Sequence, residues 1–217
     1  MIVVTGAGGS LGPYVARALA EAGNGPHCCD TDVSRLEGVP GAHHAVDLLD
    51  EAATREWAES LDGVTGVVHL VGGWRGGKPL SDSSLDDWAL LHDLLIRTVQ
   101  HTTRAFAPAL KSAGDRGRYV LVSSRQAQAP TSTNAAYAAA KAAAEAWTLA
   151  YADELSETGG TANILVVNAI VTPEMREQNP DKAYATFTDA RHMADAIAWL
   201  VSDAAVAMNG QRLSLHG

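Results

Sequence analysis

The sequence predicts an α/β fold: a single domain in which a doubly wound parallel sheet of about seven strands carries helices on both faces. Two observations lead to this fold class. Short β-branched runs alternate with longer helical stretches, and a glycine-rich turn joins the first such run to the first helix. Strands that alternate with helices favour a parallel sheet covered on both sides. Such a sheet binds ligands at the carboxyl ends of its strands, and the glycine turn lies at that edge.

The predicted elements follow the chain in a regular order. A short apolar strand at residues 2–4 precedes the glycine turn. Further apolar or β-branched runs give the other strands, at residues 27–29, 42–46, 66–71, 119–122, 162–167 and 212–215. Helices are predicted between them, at residues 12–22, 51–60, 85–113, 135–156 and 189–201. The polar stretch at about 172–188 is predicted to be a loop that closes over a substrate.

Length, charge and cysteine content exclude several classes of protein. The 217 residues suit one domain over residues 1–217 with a substantial core. A net charge of −9 without a cluster of Lys or Arg disfavours nucleic acid and anionic membranes as partners. The two cysteines are adjacent, and neither an apolar leader nor an apolar run of about 20 residues occurs. We therefore expect a cytoplasmic protein without disulfides, and without a metal site, since the histidines lack ligand spacing.

The glycine turn runs from residue 5 to residue 12 and contains Gly6, Gly9 and Gly12. Glycine allows a positive φ and a close approach of the backbone to a pyrophosphate. The helix that follows offers free N–H groups and a partial positive charge. The strand before and the helix after the turn are the context that a dinucleotide site requires. The same residues would also serve a plain strand-to-helix turn.

Acidic residues follow the second and third predicted strands. Asp30 ends the second strand, where a carboxylate can accept hydrogen bonds from ribose hydroxyls and repel a 2′-phosphate. This position favours NAD(H), although Arg35 leaves NADP(H) possible and Asp30 also suits a plain turn. Asp47 could accept a hydrogen bond from the adenine amino group, or could cap the next helix.

A tyrosine and a lysine share one face of the alanine-rich helix. Tyr137 and Lys141 stand four positions apart, and Ser124 precedes this helix. A fixed cation favours the phenolate and lowers the pKa of a tyrosine. Tyr137 is therefore expected to donate and accept a proton near neutral pH. The spacing alone is common, and its weight comes from the serine and the glycine turn.

With these residues, the chain resembles the short-chain dehydrogenase/reductase family along essentially its whole length. The resemblance implies a Rossmann fold with strand order 3-2-1-4-5-6-7, a nicotinamide cofactor, a small-molecule substrate, and a homodimer or homotetramer. It implies that Tyr137 passes the proton, Ser124 holds the substrate oxygen and Lys141 binds the nicotinamide ribose. The expected cofactor contacts are Gly6, Gly9, Ser10, Leu11, Gly12, Asp30, Asp47, Leu48, Val71, Gly72, Tyr137, Lys141, Ile170 and Thr172.

Several positions depart from the commoner family pattern. Ser10 replaces the middle glycine of T-G-x-x-x-G-x-G, and His69-Leu-Val-Gly72 replaces N-N-A-G. Asn168-Ala169 replaces the Pro-Gly after the sixth strand. The asparagine expected midway along the long helix is Leu95, which puts the family's water-linked proton path from the lysine in doubt. His92 lies one turn away and could substitute, or it could be a plain surface histidine.

The glycine-rich loop after the fourth strand resembles one branch of the family. Val71-Gly-Gly-Trp-Arg-Gly-Gly77 is similar to the Gly-Gly-Trp-x-Gly-Gly loop of quinonoid dihydropteridine reductases, an NADH-using branch. That branch also has a Thr-Pro after the sixth strand, as Thr172-Pro173 does here, whereas Ser124 departs from it. Trp74 could stack on a planar substrate or on the nicotinamide, or it could seal the loop against the domain.

The sequence thus favours an NAD(H)-dependent oxidoreductase acting on a small or planar carbonyl or imine-type substrate. Trp74, Ser124 and Tyr137 are expected to contact that substrate. One alternative is an NADPH-dependent ketone or quinone reductase. Another, from a different class, is a non-catalytic dinucleotide sensor or scaffold on the same fold, against which the intact Ser124, Tyr137 and Lys141 argue.

Overall fold

The computed structural model describes residues 1–215, and a parallel sheet lies at its centre. Its strands are β1 (Ile2–Thr5), β2 (Pro26–Asp30), β3 (Ala42–Ala45), β4 (Gly66–His69), β5 (Arg118–Ser124), β6 (Thr161–Val167) and, after two short strands, β9 (Arg212–Ser214). Within the described residues their order is β3-β2-β1-β4-β5-β6-β9. This confirms the predicted sheet, with β9 as its seventh strand. The strand order reverses between β1 and β4, which opens a crevice at their carboxyl ends.

Helices cover both faces of the sheet. They are α1 (Gly12–Glu21), α2 (Glu51–Glu59), α3 (Leu85–His92), α4 (Thr98–Ser112), α5 (Ala135–Ser156), α6 (Pro173–Gln178) and α7 (Ala190–Leu200). Successive residues of a strand point to opposite faces, so Val4 packs with Val15 of α1 and Ile197 of α7. Its neighbour Val3 packs with Phe106 of α4 on the other face. No helix within residues 1–215 combines the length and apolarity needed to cross a bilayer.

The predicted long helix at residues 85–113 is interrupted by a π-helical turn. This turn spans Asp93–Arg97 and separates α3 from α4. The Thr98 hydroxyl donates to the Leu94 carbonyl oxygen at 2.7 Å, so a side chain competes with the backbone ladder there. Leu95, which stands where an asparagine was expected, is buried in this turn against α5.

The predicted loop at residues 172–188 is partly ordered into regular structure, and in this respect the prediction was wrong. It contains α6 and ends in β8 (Phe187–Asp189), which pairs with β7 (Ala169–Val171) in a small separate sheet. The Thr172 hydroxyl caps α6 by accepting from the Met175 N–H at 3.3 Å. Pro173 suits the first helical position, where no N–H is needed.

Candidate active site and cofactor cleft

A cavity of about 800 Å³ lies at the carboxyl ends of the strands, beside α5. It brings together nearly all residues predicted for the site, namely Gly6, Gly9, Ser10, Leu11, Gly12, Asp30, Asp47, Leu48, Val71, Gly72, Trp74, Ser124, Tyr137, Lys141 and Ile170. Thr172 is not brought into this cavity. Its hydroxyl caps α6, and the residue lines a second cavity beside α1 instead.

The glycine turn is held tightly between β1 and α1. Gly6 has a φ of 68°, and a Cβ there would lie 2.8 Å from the Val71 backbone nitrogen. A Cβ on Gly12 would overlap the carbonyl oxygen of Ala7. Within the described residues, no side chain caps α1 at Leu11. The Gly12 N–H donates to the Gly9 carbonyl oxygen at 3.1 Å and Pro13 has no N–H, so an anionic ligand in the cavity would be bound by the turn and by the positive end of α1.

Asp30 is fixed in position at the end of β2. One carboxylate oxygen accepts from the Gly8 N–H at 3.2 Å, and the other accepts from the Arg35 guanidinium at 2.9 Å. The carboxylate is nearly buried, whereas about half of the Arg35 side chain is exposed. Asp47 accepts from the Leu49 N–H at 2.9 Å, and the residue that caps α2 is Asp50, not Asp47.

Ser124, Tyr137 and Lys141 meet where β5 ends beside α5. Burial raises the pKa of Tyr137 above its usual value, and the Ser124 hydroxyl opposes part of this rise through a hydrogen bond. The Lys141 ammonium donates to the Val122 carbonyl oxygen at 2.9 Å. Burial lowers the pKa of Lys141 to about 8, although Glu145 opposes this. The expectation that Lys141 lowers the pKa of Tyr137 is not met, because burial sets the direction of the shift.

Comparison with known proteins decides the family. A family model described as enoyl-(acyl carrier protein) reductase matches residues 6–217. The chain belongs to the short-chain dehydrogenase/reductase family. It is therefore an NAD(P)-dependent oxidoreductase, as the sequence predicted.

Two relatives in this family align with almost the whole chain. The mouse (3R)-3-hydroxyacyl-CoA dehydrogenase is 27% identical over 245 residues, covering 100% of this chain and 95% of the relative. The D-beta-hydroxybutyrate dehydrogenase of Rhizobium meliloti is 24% identical over 249 residues, covering 99% of this chain and 96% of the relative. Neither is a dihydropteridine reductase, so that resemblance stays a prediction.

Solved structures share the fold. An NAD⁺-bound xylitol dehydrogenase superposes with a TM-score of 0.89 at 21% identity, covering 100% of this chain and 97% of the other. An NADPH-bound short-chain oxidoreductase from Pseudomonas aeruginosa PAO1, with an atypical catalytic center, gives 0.86 at 23% identity and covers 98% and 94%. Both NAD(H)- and NADP(H)-binding proteins thus occur on this fold.

His69, which departs from the family's N-N-A-G, is a buried neutral histidine. Burial, and then the Lys141 charge, lower its pKa to about 3. The Thr98 hydroxyl already donates to the Leu94 carbonyl oxygen, so at 3.2 Å it must accept from Nε2–H of His69. The Thr5 hydroxyl then donates to Nδ1 at 3.0 Å. This uncharged ring ties β1, β4 and α4 together below the cavity. His92, the other histidine considered, hydrogen-bonds Asp93 at 3.3 Å and is not among the residues lining the cavity.

Trp74 lies at the mouth of the cavity with one edge fixed. Its Nε1–H donates to the side-chain oxygen of Asn134 at 2.9 Å, although 55% of the residue is exposed. The Gly77 N–H donates to the Thr133 carbonyl oxygen at 2.8 Å, and Gly76 allows the close approach. Both interpretations of Trp74 therefore have support. Hydrogen bonds hold its loop against residues 133 and 134, and the indole still borders the cavity, where it could stack on a ligand.

Gln126 and Asn134 are among the cavity-lining residues that the sequence prediction did not include. Gln126 stands two residues after Ser124, and its side-chain oxygen accepts from the Thr131 N–H at 3.0 Å. Asn134 directly precedes α5. Their positions in the sequence could have identified them. Gln126 closely follows the end of a central strand, and Asn134 directly precedes the helix that carries Tyr137.

Proposed function

We propose that this protein is an NAD(H)-dependent dehydrogenase/reductase that transfers hydride to or from a small or planar carbonyl or imine-type substrate. One observation carries the proposal. The Asp30 carboxylate lines the same cavity as Ser124, Tyr137 and Lys141, and the backbone of the glycine turn fixes its orientation. A ribose-binding carboxylate and a set of proton-handling side chains thus share one cleft.

The residues of the cleft fit a nicotinamide dinucleotide. The uncapped start of α1 suits the pyrophosphate, and the turn before it needs glycine at positions 6 and 12, where a Cβ would clash with the backbone of Val71 or Ala7. Asp30 suits the adenosine ribose, and Asp47 and Leu48 border the same end of the cavity. At the other end, Val71, Gly72, Lys141 and Ile170 would hold the nicotinamide half. When bound, the nicotinamide supplies or accepts the hydride.

The side chains of the protein supply the proton and the oxygen contacts. Tyr137 keeps its proton at neutral pH because burial raises its pKa, so it can donate to a carbonyl oxygen as that oxygen becomes an alkoxide. Ser124 would hold the same oxygen by a hydrogen bond. Lys141, with a pKa of about 8, is mostly protonated at pH 7 and supplies positive charge in a buried setting. The substrate is a small molecule, and a homodimer or homotetramer stays part of the proposal.

Residues 172–188 are proposed to form the flap over the substrate. Its helix α6 is joined to α1 by the Tyr14 hydroxyl, which contacts the two Glu174 carboxylate oxygens at 2.6 and 2.8 Å. The flap therefore rests on the helix whose start would bind the pyrophosphate. Such closure excludes water and strengthens the polar interactions inside the cleft.

The preference for NADH is expected to depend on Asp30. Replacing Asp30 by alanine should weaken NADH binding by about tenfold, because a charged acceptor for ribose hydroxyls is lost. NADPH binding should improve, because the freed Arg35 can pair with the 2′-phosphate. Fluorescence titration of both cofactors measures the ratio. Asp32→Ala is the matched control, since Asp32 accepts from the Ser34 N–H and does not line the cavity. A wild-type protein that prefers NADPH would contradict the assignment.

The reaction itself is tested by following NADH oxidation with a panel of substrates. Acetoacetate and a short 3-oxoacyl thioester are included because of the relatives, and a quinonoid dihydropteridine because of the Trp74 loop. A simple ketone and a quinone complete the panel. We expect turnover of at least one member, lost in the Tyr137→Phe variant. Tight NADH binding with no turnover of any member would instead favour the non-catalytic sensor.

A further inference from the structure

A buried carboxylate that the proposed reaction does not use lies directly below the catalytic residues. Glu145 is 1% exposed and stands one helical turn beyond Lys141 on the same face of α5. One of its oxygens accepts from the Ser123 hydroxyl at 2.6 Å. The other accepts from Arg212 of β9 at 2.6 Å and is 3.5 Å from the Gln128 amide nitrogen.

Burying this charge is costly, and the fold alone does not require it. A carboxylate removed from water is destabilising unless it is paired, and a well-packed apolar pair of similar volume often serves stability as well or better. The backbone ladder already holds β9 on β6, from Ile164 to Val166. The ion pair between Glu145 and Arg212 is therefore more than is needed to attach the last strand.

The position of Glu145 connects it to two of the catalytic side chains. Ser123 immediately precedes Ser124 at the end of β5, so the Glu145 carboxylate holds the strand residue beside the catalytic serine. The same carboxylate lies close enough to Lys141 to favour its charged form. One group thus acts on the backbone that carries Ser124 and on the charge of Lys141.

We propose that Glu145 is a positioning residue for this reaction: it anchors the end of β5 that carries Ser124 and keeps Lys141 positively charged within the apolar interior. The inference rests on the proposed function, because it assigns a role toward Ser124 and Lys141 in that reaction.

Among the groups around Lys141, Glu145 is the main source of negative charge. From β4 comes His69, which is neutral, and from β5 the Val122 carbonyl oxygen. On α5 itself Tyr137 is protonated near neutral pH. The π-helical turn and α3 contribute an apolar surface to this side of α5. Arg212 approaches from β9, but it lies behind the Glu145 carboxylate and is partly exposed.

The sign of the expected pH effect follows from these contacts. Burial lowers the pKa of Lys141 to about 8, and the Glu145 carboxylate opposes that shift. Without the carboxylate the pKa of Lys141 falls further, so Lys141 loses its proton at a lower pH. Tyr137, with its raised pKa, deprotonates only at higher pH. The alkaline limit of function should therefore follow Lys141 and move down.

The experiment compares Glu145→Gln with wild type by two readouts. The first is the pH dependence of NADH affinity, which does not need a substrate, and the second is the pH profile of kcat/KM on the substrate found above. We expect both alkaline limits to move down by about one pH unit, with about a fivefold loss of kcat/KM at pH 8. Glu154→Gln is the matched control on the same helix. Glu154 pairs with Lys111 at a partly exposed site and should shift neither profile.

Two further variants separate a role in the reaction from a purely structural one. Arg212→Gln removes the cation behind Glu145 and should not lower the alkaline limit, whereas a merely structural ion pair would give the same result for both partners. If Glu145→Gln does not fold, the double variant with Arg212→Gln removes both charges and should still show the downward shift. A lower melting temperature with both pH profiles unchanged would overturn the inference. Wild-type NADH binding without turnover would count against the proposed function, not against the role of Glu145.

Discussion

Replacing Tyr137 by phenylalanine should lower kcat by about a thousandfold, because the phenol is the proposed proton donor in the cleft. The aromatic ring should stay in place, since it packs against the cluster formed by Leu91, Leu95, Ile96 and Ala140. The affinity for NADH should therefore change little. Stopped-flow measurement of a single turnover, together with fluorescence titration of NADH, separates the chemical step from binding.

The matched control for this variant is Tyr151→Phe on the same helix. The Tyr151 hydroxyl is buried, and within residues 1–215 it has no hydrogen-bond partner. Its removal should leave kcat unchanged and should not lower stability. Wild-type turnover in Tyr137→Phe would remove the basis for the proton-transfer role. Loss of NADH binding in that variant would show that the hydroxyl serves cofactor binding and not proton transfer alone.

Much of the fold is predictable because its central strands carry a strong local signal. β6 is buried along its whole length, from Thr161 to Val167, and apart from Asn163 it consists of apolar and β-branched residues. β3 lies at the sheet edge and is largely exposed, and its sequence signal is correspondingly weak. The order of the strands then follows from the family resemblance, not from local pattern.

The site is predictable where it depends on spacing within one element. Tyr137 and Lys141 share a face because they are one helical turn apart, and the strand order brings Ser124 beside them. The Lys141 hydrogen bond to the Val122 carbonyl oxygen has no sequence signal, because any residue provides a carbonyl. The burial of Glu145 is equally hidden, since its partner Arg212 lies 67 residues away in the chain.

The π-helical turn shows a further limit of sequence patterns. Leu91, Leu95 and Ile96 form an apolar series that fits a continuous helix, so residues 85–113 read as one element. The Thr98 hydroxyl donates to the Leu94 carbonyl oxygen at this turn, but Thr103 and Thr148 make the same kind of bond within regular helices, so a threonine gives no warning of the interruption. Capping is more informative, and the Thr172-Pro173 start of α6 could have been recognised on the same principles.

Replacing Gly12 by alanine should both destabilise the protein and weaken cofactor binding. The new Cβ would overlap the Ala7 carbonyl oxygen and would lie 2.6 Å from the Ala7 Cα. Ala7 cannot easily move away, because it is fully buried and its N–H donates to the Cys29 carbonyl oxygen of β2 at 3.0 Å. We expect the free energy of unfolding to fall by roughly 3 kcal/mol, as for other overpacked sites. Denaturant unfolding measures this loss.

The expected loss of NADH affinity in the Gly12→Ala variant depends on the same clash. The turn can accept a methyl group only by shifting the start of α1, which together with the turn forms the proposed pyrophosphate site. NADH affinity should fall by at least about tenfold, the equivalent of one charge-assisted hydrogen bond. Gly25→Ala is the matched control: a Cβ there meets no atom of the described residues within 4 Å, and Gly25 has no positive φ. If Gly12→Ala were as stable as that control and bound NADH equally well, the start of α1 could not be the tightly built cradle that the geometry describes.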